Sequence, residues 1–386
     1  MTALTEFLDP DLYAKGTITT YRGALIDFFS HVYGVHREGK RATRAEMERY
    51  DELADQYLTD VRTGKRDHVM DLKKYTARLV KTVPPKTLHL RLSVVREFFA
   101  GHRLKLEHDD RTLILKTMGR ENRAPRAVSE TTTLRKEMIT SIVMQSDVRM
   151  RAFILVLLSS GMRIGEALQL LPGDVDLSRS PAPVHIRRET TKTQTARDTF
   201  ISPEAVDAVR EWLKVRDRYI QNARARGFTR ADSPFLFAMS RSGAYRRWDE
   251  AVTRAGLFKR DRETNYATVR VHSLRKFFRS YMGLSANPEM VEAWIGHSEG
   301  LNATYARHFP PEMIEGEYKK GMHHVTVFGE VLDQETRDQL SAVSRENKEL
   351  KEKLSDVEKR MALMAFIEDV LKQDPEIRKK LLSLSI

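Results

Sequence analysis

The chain has 386 residues, of which 41% are hydrophobic, with 66 lysines and arginines against 54 aspartates and glutamates and no cysteine. That length exceeds one ordinary globular domain, and the apolar content excludes a broadly disordered chain. The lack of cysteine excludes disulfides, thiolate metal sites and cysteine catalysis. The longest apolar run, residues 152–158, makes about two helical turns, too short for a membrane span. The first residues carry neither the basic flank nor the apolar stretch of a signal peptide, so a cytoplasmic protein is expected.

Charge divides the chain. Residues 1–127 hold 24 basic and 18 acidic side chains, residues 128–329 hold 31 and 23, and residues 330–386 hold 11 and 13. Two basic blocks, attractive to a polyanion, precede a slightly acidic tail.

In the first block, Thr17–Tyr33 places Ile18, Tyr21, Leu25, Phe28 or Phe29, and Val32 on one face, which predicts a helix ended by Gly34. Further helices are predicted over Glu46–Arg62, Val69–Lys81 and, after the Pro84-Pro85 break, Lys86–Gly101. Residues 1–118 thus read as a compact helical domain with basic outer faces. Residues 119–127, polar, arginine-rich and containing Pro125, read as a linker.

The second block, residues 128–329, opens with predicted helices over Leu134–Val143, Val148–Leu158 and Gly165–Leu171, the last stopped by Pro172-Gly173-Asp174. Val184–Arg188 and Asp198–Ile201 predict a β-hairpin within a small antiparallel sheet. Ser202-Pro203 offers an N-cap and a proline for the first helical position. The remainder to about Lys320 reads as mostly helical.

In the third block, residues 330–386, Leu340, Asn347, Leu354 and Met361 fall at one heptad position and Val343, Leu350, Val357 and Met364 at the other. This is the spacing of a coiled coil, and a polar Asn347 at an "a" position favours a parallel dimer in fixed register. The competing reading is an amphipathic helix docked on its own chain. Pro375 interrupts the pattern before a short final segment.

Four segments of the second block carry chemistry: Gly161-Met162-Arg163-Ile164-Gly165-Glu166, the hairpin turn around Lys192, His272-Ser273-Leu274-Arg275, and Gly296-His297-Ser298 followed by Tyr305. His272 and Arg275 are three apart and share a helix face, as do Arg163 and Glu166. Two arginines, two histidines, a lysine and a tyrosine, brought together, would bind an anion, and planar guanidiniums suit phosphate oxygens. Such a site can stabilise a phosphoryl group as it gains charge. Singly, each segment has an ordinary reading: a helix ion pair for Arg163 and Glu166, a solvated turn for Lys192, a capping turn for Gly296-His297-Ser298, a core tyrosine for Tyr305. Their combination and order are what is specific.

Those four segments in that order resemble the signature of the tyrosine recombinase (phage-type integrase) family, closely over roughly 200 residues and more loosely over Thr17–Tyr33. The overall flavour resembles archaeal or mobile-element integrases. The resemblance implies a mainly α fold with a small antiparallel β-sheet. It further implies a two-domain clamp on double-stranded DNA and cleavage through a 3′-phosphotyrosyl intermediate, with no cofactor and no metal. Carried over by position, Arg163 and Arg275 would grip the scissile phosphate, His272 would assist proton transfer, and His297 would hydrogen-bond the phosphate. Lys192 would be the general acid, Glu166 a supporting carboxylate, and Tyr305 the nucleophile. From His297 to Tyr305 is eight residues, one fewer than is common in the family, and Tyr318 is the substitute nucleophile. Recombination normally engages four protomers, so a tetrameric synapse is expected, with residues 333–364 pairing protomers. The rival readings are a type IB topoisomerase, a non-catalytic DNA-binding regulator on an integrase scaffold, and a structural coiled-coil adaptor.

Overall fold

The computed structural model describes residues 2–35, 43–125, 131–227, 233–262, 264–297 and 309–328, together with Lys353 and Met361. Tyr305 and nearly all of the 333–364 heptad segment lie outside the described residues. The chain divides into two compact units, residues 1–131 with Lys259–Thr268, and residues 132–258 with those from Val269 onward.

The first unit is built on helices α1 (Ala3–Phe7), α2 (Lys15–Tyr33), α3 (Arg44–Arg62), α4 (His68–Thr82), α5 (Pro85–Gly101) and α6 (His108–Met118). Local chemistry sets their ends. Gly34, at φ 66°, closes α2 in the left-handed conformation that glycine adopts without Cβ strain. Thr43 and Glu46 form a reciprocal capping box at α3, Asp67 caps α4, and Pro85 opens α5. The core is aromatic: Phe28 meets Tyr57 and Tyr75 edge-to-face at 5.4 and 5.2 Å, and Phe29 meets Phe98 at 5.7 Å. Asp27 of α2 accepts hydrogen bonds from Tyr75 (2.7 Å) and Arg91 (2.8 Å) and also pairs with Arg78, tying α2 to α4 and α5. Within the expected linker, Arg120–Asn122 forms a short 3-10 turn, and Arg126 and Ala127 are outside the described residues.

The second unit comprises α7 (Lys136–Met144), α8 (Val148–Ser160), α9 (Ile164–Ala167), β1 (Ala182–Ile186), β2 (Arg197–Ile201), α10 (Pro203–Ala225), α11 (Arg241–Arg254), α12 (His272–Met282), α13 (Pro288–Ile295) and α14 (Pro311–Val325). Residues 152–158, the apolar run, are buried on every face of α8, which makes it the central helix. The sheet among the described residues is one antiparallel pair, with Ala182 opposite Ile201 and Ile186 opposite Arg197. Glu204 at the start of α10 accepts the backbone N–H groups of Val327 and Phe328, each at 3.0 Å, fastening the chain that follows α14. Among the described residues no helix is long and apolar enough to cross a membrane.

Two sequence expectations need correction. The helix expected over Gly165–Leu171 is only Ile164–Ala167. Past it the backbone serves other partners: Gln169 O accepts from Arg187, Leu170 O from Leu236 N, and Leu171 N donates to Asp174. The first strand ends at Ile186, because Arg188–Thr190 turns into a 3-10 helix. As expected, Ser202 is the N-cap of α10 and Pro203 its first residue, although the Ser202 hydroxyl is buried and makes no capping bond.

Gly161 ends α8 at φ 62°, and a Cβ there would lie 2.3 Å from Phe278 and 2.8 Å from Ile295. The position therefore demands glycine both by backbone and by space. Gly161→Ala is expected to destabilise the second unit by about 2–4 kcal/mol, read as a lowered urea midpoint. An unchanged midpoint would refute the close packing of α8, α12 and α13 at this point.

Candidate functional site

The site is assembled where α8 ends, where α12 begins and where α13 ends, with β2 behind them. Its foundation is Glu166, buried at 2% exposure. Its Oε2 accepts the backbone N–H of Arg163 at 2.7 Å, and its Oε1 accepts Arg163 Nη1 at 3.0 Å. From the other side Arg197 of β2 donates to both oxygens, Nη1 to Oε1 at 3.2 Å and Nη2 to Oε2 at 2.6 Å. Burial by itself opposes ionisation of Glu166. The hydrogen bonds and charge of Arg197, with those of Arg163, outweigh it and hold the carboxyl below its ordinary pKa.

Arg197 also donates through Nε to the carbonyl of Trp294 at 2.9 Å, so β2 is fastened to α13. Gly296, at φ 69°, follows as the C-cap of α13, and a Cβ on it would lie 2.8 Å from the Arg197 guanidinium carbon. Its carbonyl accepts Arg163 Nη2 at 3.3 Å. Thus Glu166, Arg197 and Gly296 fix where Arg163, about one-third exposed along its side chain, presents its remaining surface.

Arg275 projects from α12 and is buried at 6% exposure. Its Nη1 donates to the carbonyl of Gly161 at 2.8 Å, while Nη2 has no acceptor among the described residues. Burial, then the positive charge of Arg163, push its pKa down to about 10, so it remains a cation at neutral pH. His272, at the first position of α12, has its pKa lowered by desolvation and then by the charges of Arg275, Lys276, Arg163 and His297. His297 follows Gly296; its Nδ1 lies 2.9 Å from Glu292 Oε2.

Of the seven residues read from the sequence, the structure brings together Arg163, Glu166, His272, Arg275 and His297. Lys192 is exposed in the turn between β1 and β2, outside the hydrogen-bonded cluster. Tyr305 lies outside the described residues. Tyr318, the alternative nucleophile, is fully buried in α14, donates its hydroxyl to the carbonyl of Ser159 at 2.8 Å, and has its pKa raised by burial. It is a core tyrosine with no access to a substrate.

Sequence reasoning missed two residues. Arg197 was legible: the period of two along β2 puts it on the face of Thr199 and Ile201, and a charged residue on an inward face needs a partner. Glu292 was legible only in part: His297 lies five residues on, across the C-terminal turn of the same helix, whereas its contact with Arg279 arises from the approach of two helices. Among the described residues no three histidine, aspartate or glutamate side chains group as a metal site would require.

The arrangement is a pocket of fixed cations with imidazoles beside it, suited to an anion that gains charge. Residues 130–309 match the model of the phage integrase family. No curated protein matches the chain. Among solved structures, it is similar to XerA recombinase, at 19% identity over 78% of this chain and 98% of that one, with a TM-score of 0.34. It is also similar to XerH site-specific recombinase bound to its difH substrate in a pre-cleavage complex, at 16% identity over 75% and 91%, TM-score 0.45. A third is the Tn1549 transposon integrase in complex with transposon right end DNA, at 16% identity over 76% and 98%, TM-score 0.43.

A depressed carboxyl pKa contributes stability that is complete above the unfolded value, about 4.3 for glutamate. That contribution is lost as pH falls through the lower folded value. The stability advantage of the wild type over Glu166→Gln is therefore expected to be constant above about pH 5 and to shrink progressively below about pH 4.3. Urea unfolding across pH 3–7 measures it, and an advantage that grows on acidification would overturn the ionised assignment.

Proposed function

Because residues 130–309 constitute a phage integrase family domain, we propose that this protein is a site-specific DNA recombinase that cuts and rejoins DNA through a 3′-phosphotyrosyl intermediate. The observation that carries the reading is the convergence of Arg163 and Arg275 on the two glycine-ended turns, with one Arg275 donor left free of any described protein acceptor. A scissile phosphate held there would take donors from both guanidiniums, with His272 and His297 at its edge.

In this reaction the Tyr305 hydroxyl oxygen attacks phosphorus. The bond from phosphorus to the 5′ oxygen breaks, and a phosphotyrosyl bond forms on the 3′ side. A tyrosine hydroxyl has a reference pKa near about 10, so its proton must pass to a base as it attacks, and His272 is the group assigned to assist. Lys192 supplies the proton to the departing 5′ oxygen, which is otherwise a poor leaving group. The guanidinium charge stabilises the phosphoryl group in the transition state, a role that needs no metal. The phosphotyrosyl bond conserves the phosphodiester energy, so religation by a 5′ hydroxyl needs no ATP.

Residues 1–118 are proposed as a DNA-binding domain joined to the catalytic domain by residues 119–127, the two clasping the duplex through phosphate contacts. Residues 333–364 are proposed to pair protomers as a coiled coil within a tetrameric synapse.

The test of the chemistry is covalent trapping. A duplex selected by this protein from a random-sequence pool is rebuilt with nicks beside candidate scissile phosphates, so that the released 5′ fragment diffuses away. Wild type is expected to give a covalent protein–DNA band on a denaturing gel and Tyr305→Phe none. Tight binding by wild type without such a band would sink the enzymatic reading in favour of a non-catalytic binder. The assembly claim has its own measurement. Deleting residues 333–364 is expected to abolish self-association in sedimentation and weaken two-site synapsis while single-site cleavage persists; unchanged association would refute it.

A further inference from the structure

We propose that Glu292 is the positioning residue for His297, holding the imidazole by its Nδ1–H so that Nε2 is the nitrogen presented to DNA. This assignment of a role toward DNA rests on the recombinase reading above. The hold on the ring itself rests on geometry alone.

Glu292 stands on α13, one turn before its end. Its Oε2 lies 2.9 Å from His297 Nδ1, and its backbone carbonyl accepts the His297 N–H at 3.0 Å. Main chain and ring of His297 are thus both referenced to one residue. Its Oε1 accepts Arg279 Nε at 2.5 Å. A carboxylate paired with a guanidinium has no proton to give, so the proton between Glu292 and His297 belongs to Nδ1. That contact decides which ring nitrogen is free, because a bond at one imidazole nitrogen sets the tautomer at the other.

The contact has a further consequence. Arg279 lies two turns along α12 from His272 and one from Arg275. The chain Arg279–Glu292–His297 therefore links the helix that carries those two groups to the turn that carries the third. The His297 side chain is 47% exposed. When neutral, Nε2 is a bare acceptor. When the ring is doubly protonated, Nε2–H donates to a phosphate oxygen with the Glu292 carboxylate behind it. The direction in which the ring acts is the same in both states. An ordinary surface ion pair contributes little to stability, and that alternative predicts no dependence of chemistry on Glu292.

Two measurements on the full chain decide it. The first uses ring nitrogen-15 chemical shifts in histidine-labelled protein, with His297 assigned by its absence from His297→Gln. Wild type and Arg279→Ala are expected to show the neutral His297 ring protonated at Nδ1. Glu292→Ala is expected to move that proton to Nε2, the favoured tautomer of a free imidazole. The second is the single-turnover rate of covalent trapping on the selected nicked duplex. Glu292→Ala is expected to slow it about tenfold in the wild-type background and less than about twofold in the His297→Gln background. An unmoved tautomer in Glu292→Ala, or equal losses in the two backgrounds, would overturn the assignment. If wild type binds DNA without a covalent product, the recombinase reading fails. The tautomer measurement, which needs no DNA, then still decides whether Glu292 holds the ring.

Discussion

The buried carboxylate of Glu166 is the point on which the site depends. It lies at the junction of α8, α9, β2 and α13, and four donors converge on it: the Arg163 backbone N–H, one Arg163 guanidinium nitrogen and two Arg197 guanidinium nitrogens. Bringing an ionised carboxylate out of water costs several kcal/mol, and only such dense pairing offsets it. The pairing in turn confines geometry. Arg197 cannot shift without taking two of the four donors from the buried Glu166 carboxylate, and breaking a buried ion pair costs about 3–5 kcal/mol. Since Arg197 also holds the Trp294 carbonyl, the end of α13 and the turn bearing His297 inherit that rigidity.

Neutralising Glu166 with two arginines leaves an excess of positive charge, and the rest of the pocket increases it. Arg275 is buried within the field of Arg163, and its pKa is depressed to about 10 as a result. His272 is lowered for related reasons, first desolvation and then the charges of Arg275, Lys276 and Arg163. A folded protein holds such a concentration of like charge against its own stability. The arrangement makes sense as preorganisation: donors fixed before an anion arrives need not reorganise when charge develops on it. Close approach of backbone supports the same end, since Gly161 and Gly296 lend their carbonyls to the two arginines at turns where a Cβ has neither the dihedral nor the space.

The first unit solves a different problem with a similar device. Its core is a stack of aromatic rings that supplies burial but little direction. Asp27, accepting from Tyr75 and Arg91 and paired with Arg78, adds a charged reference point that ties three helices together. In both units one carboxylate gathers arginines, once beneath the cationic cluster and once within a helical scaffold.

Much of this was legible in the amino-acid sequence. Helix ends followed from local chemistry, as Gly34 and Pro85 show, and the apolar run of residues 152–158 announced a core helix. The partnership of Arg163 with Glu166 and the shared face of His272 and Arg275 followed from spacing along the chain. What spacing cannot supply is the meeting of distant segments. Arg197 and Glu166 are 31 residues apart, and Arg163 and Gly296 133. Whether such pairs touch depends on how α8, β2, α12 and α13 pack, which no local pattern encodes. The same packing placed Tyr318 in the core, cut the expected helix after Gly165 to one turn, and brought Arg279 to Glu292. Sequence by itself determined the chemistry available and the elements that carry it, because propensity, capping and periodicity act over a few residues. Tertiary structure alone decided which of those groups share one pocket, because burial and long-range hydrogen bonds are settled only when the elements have packed.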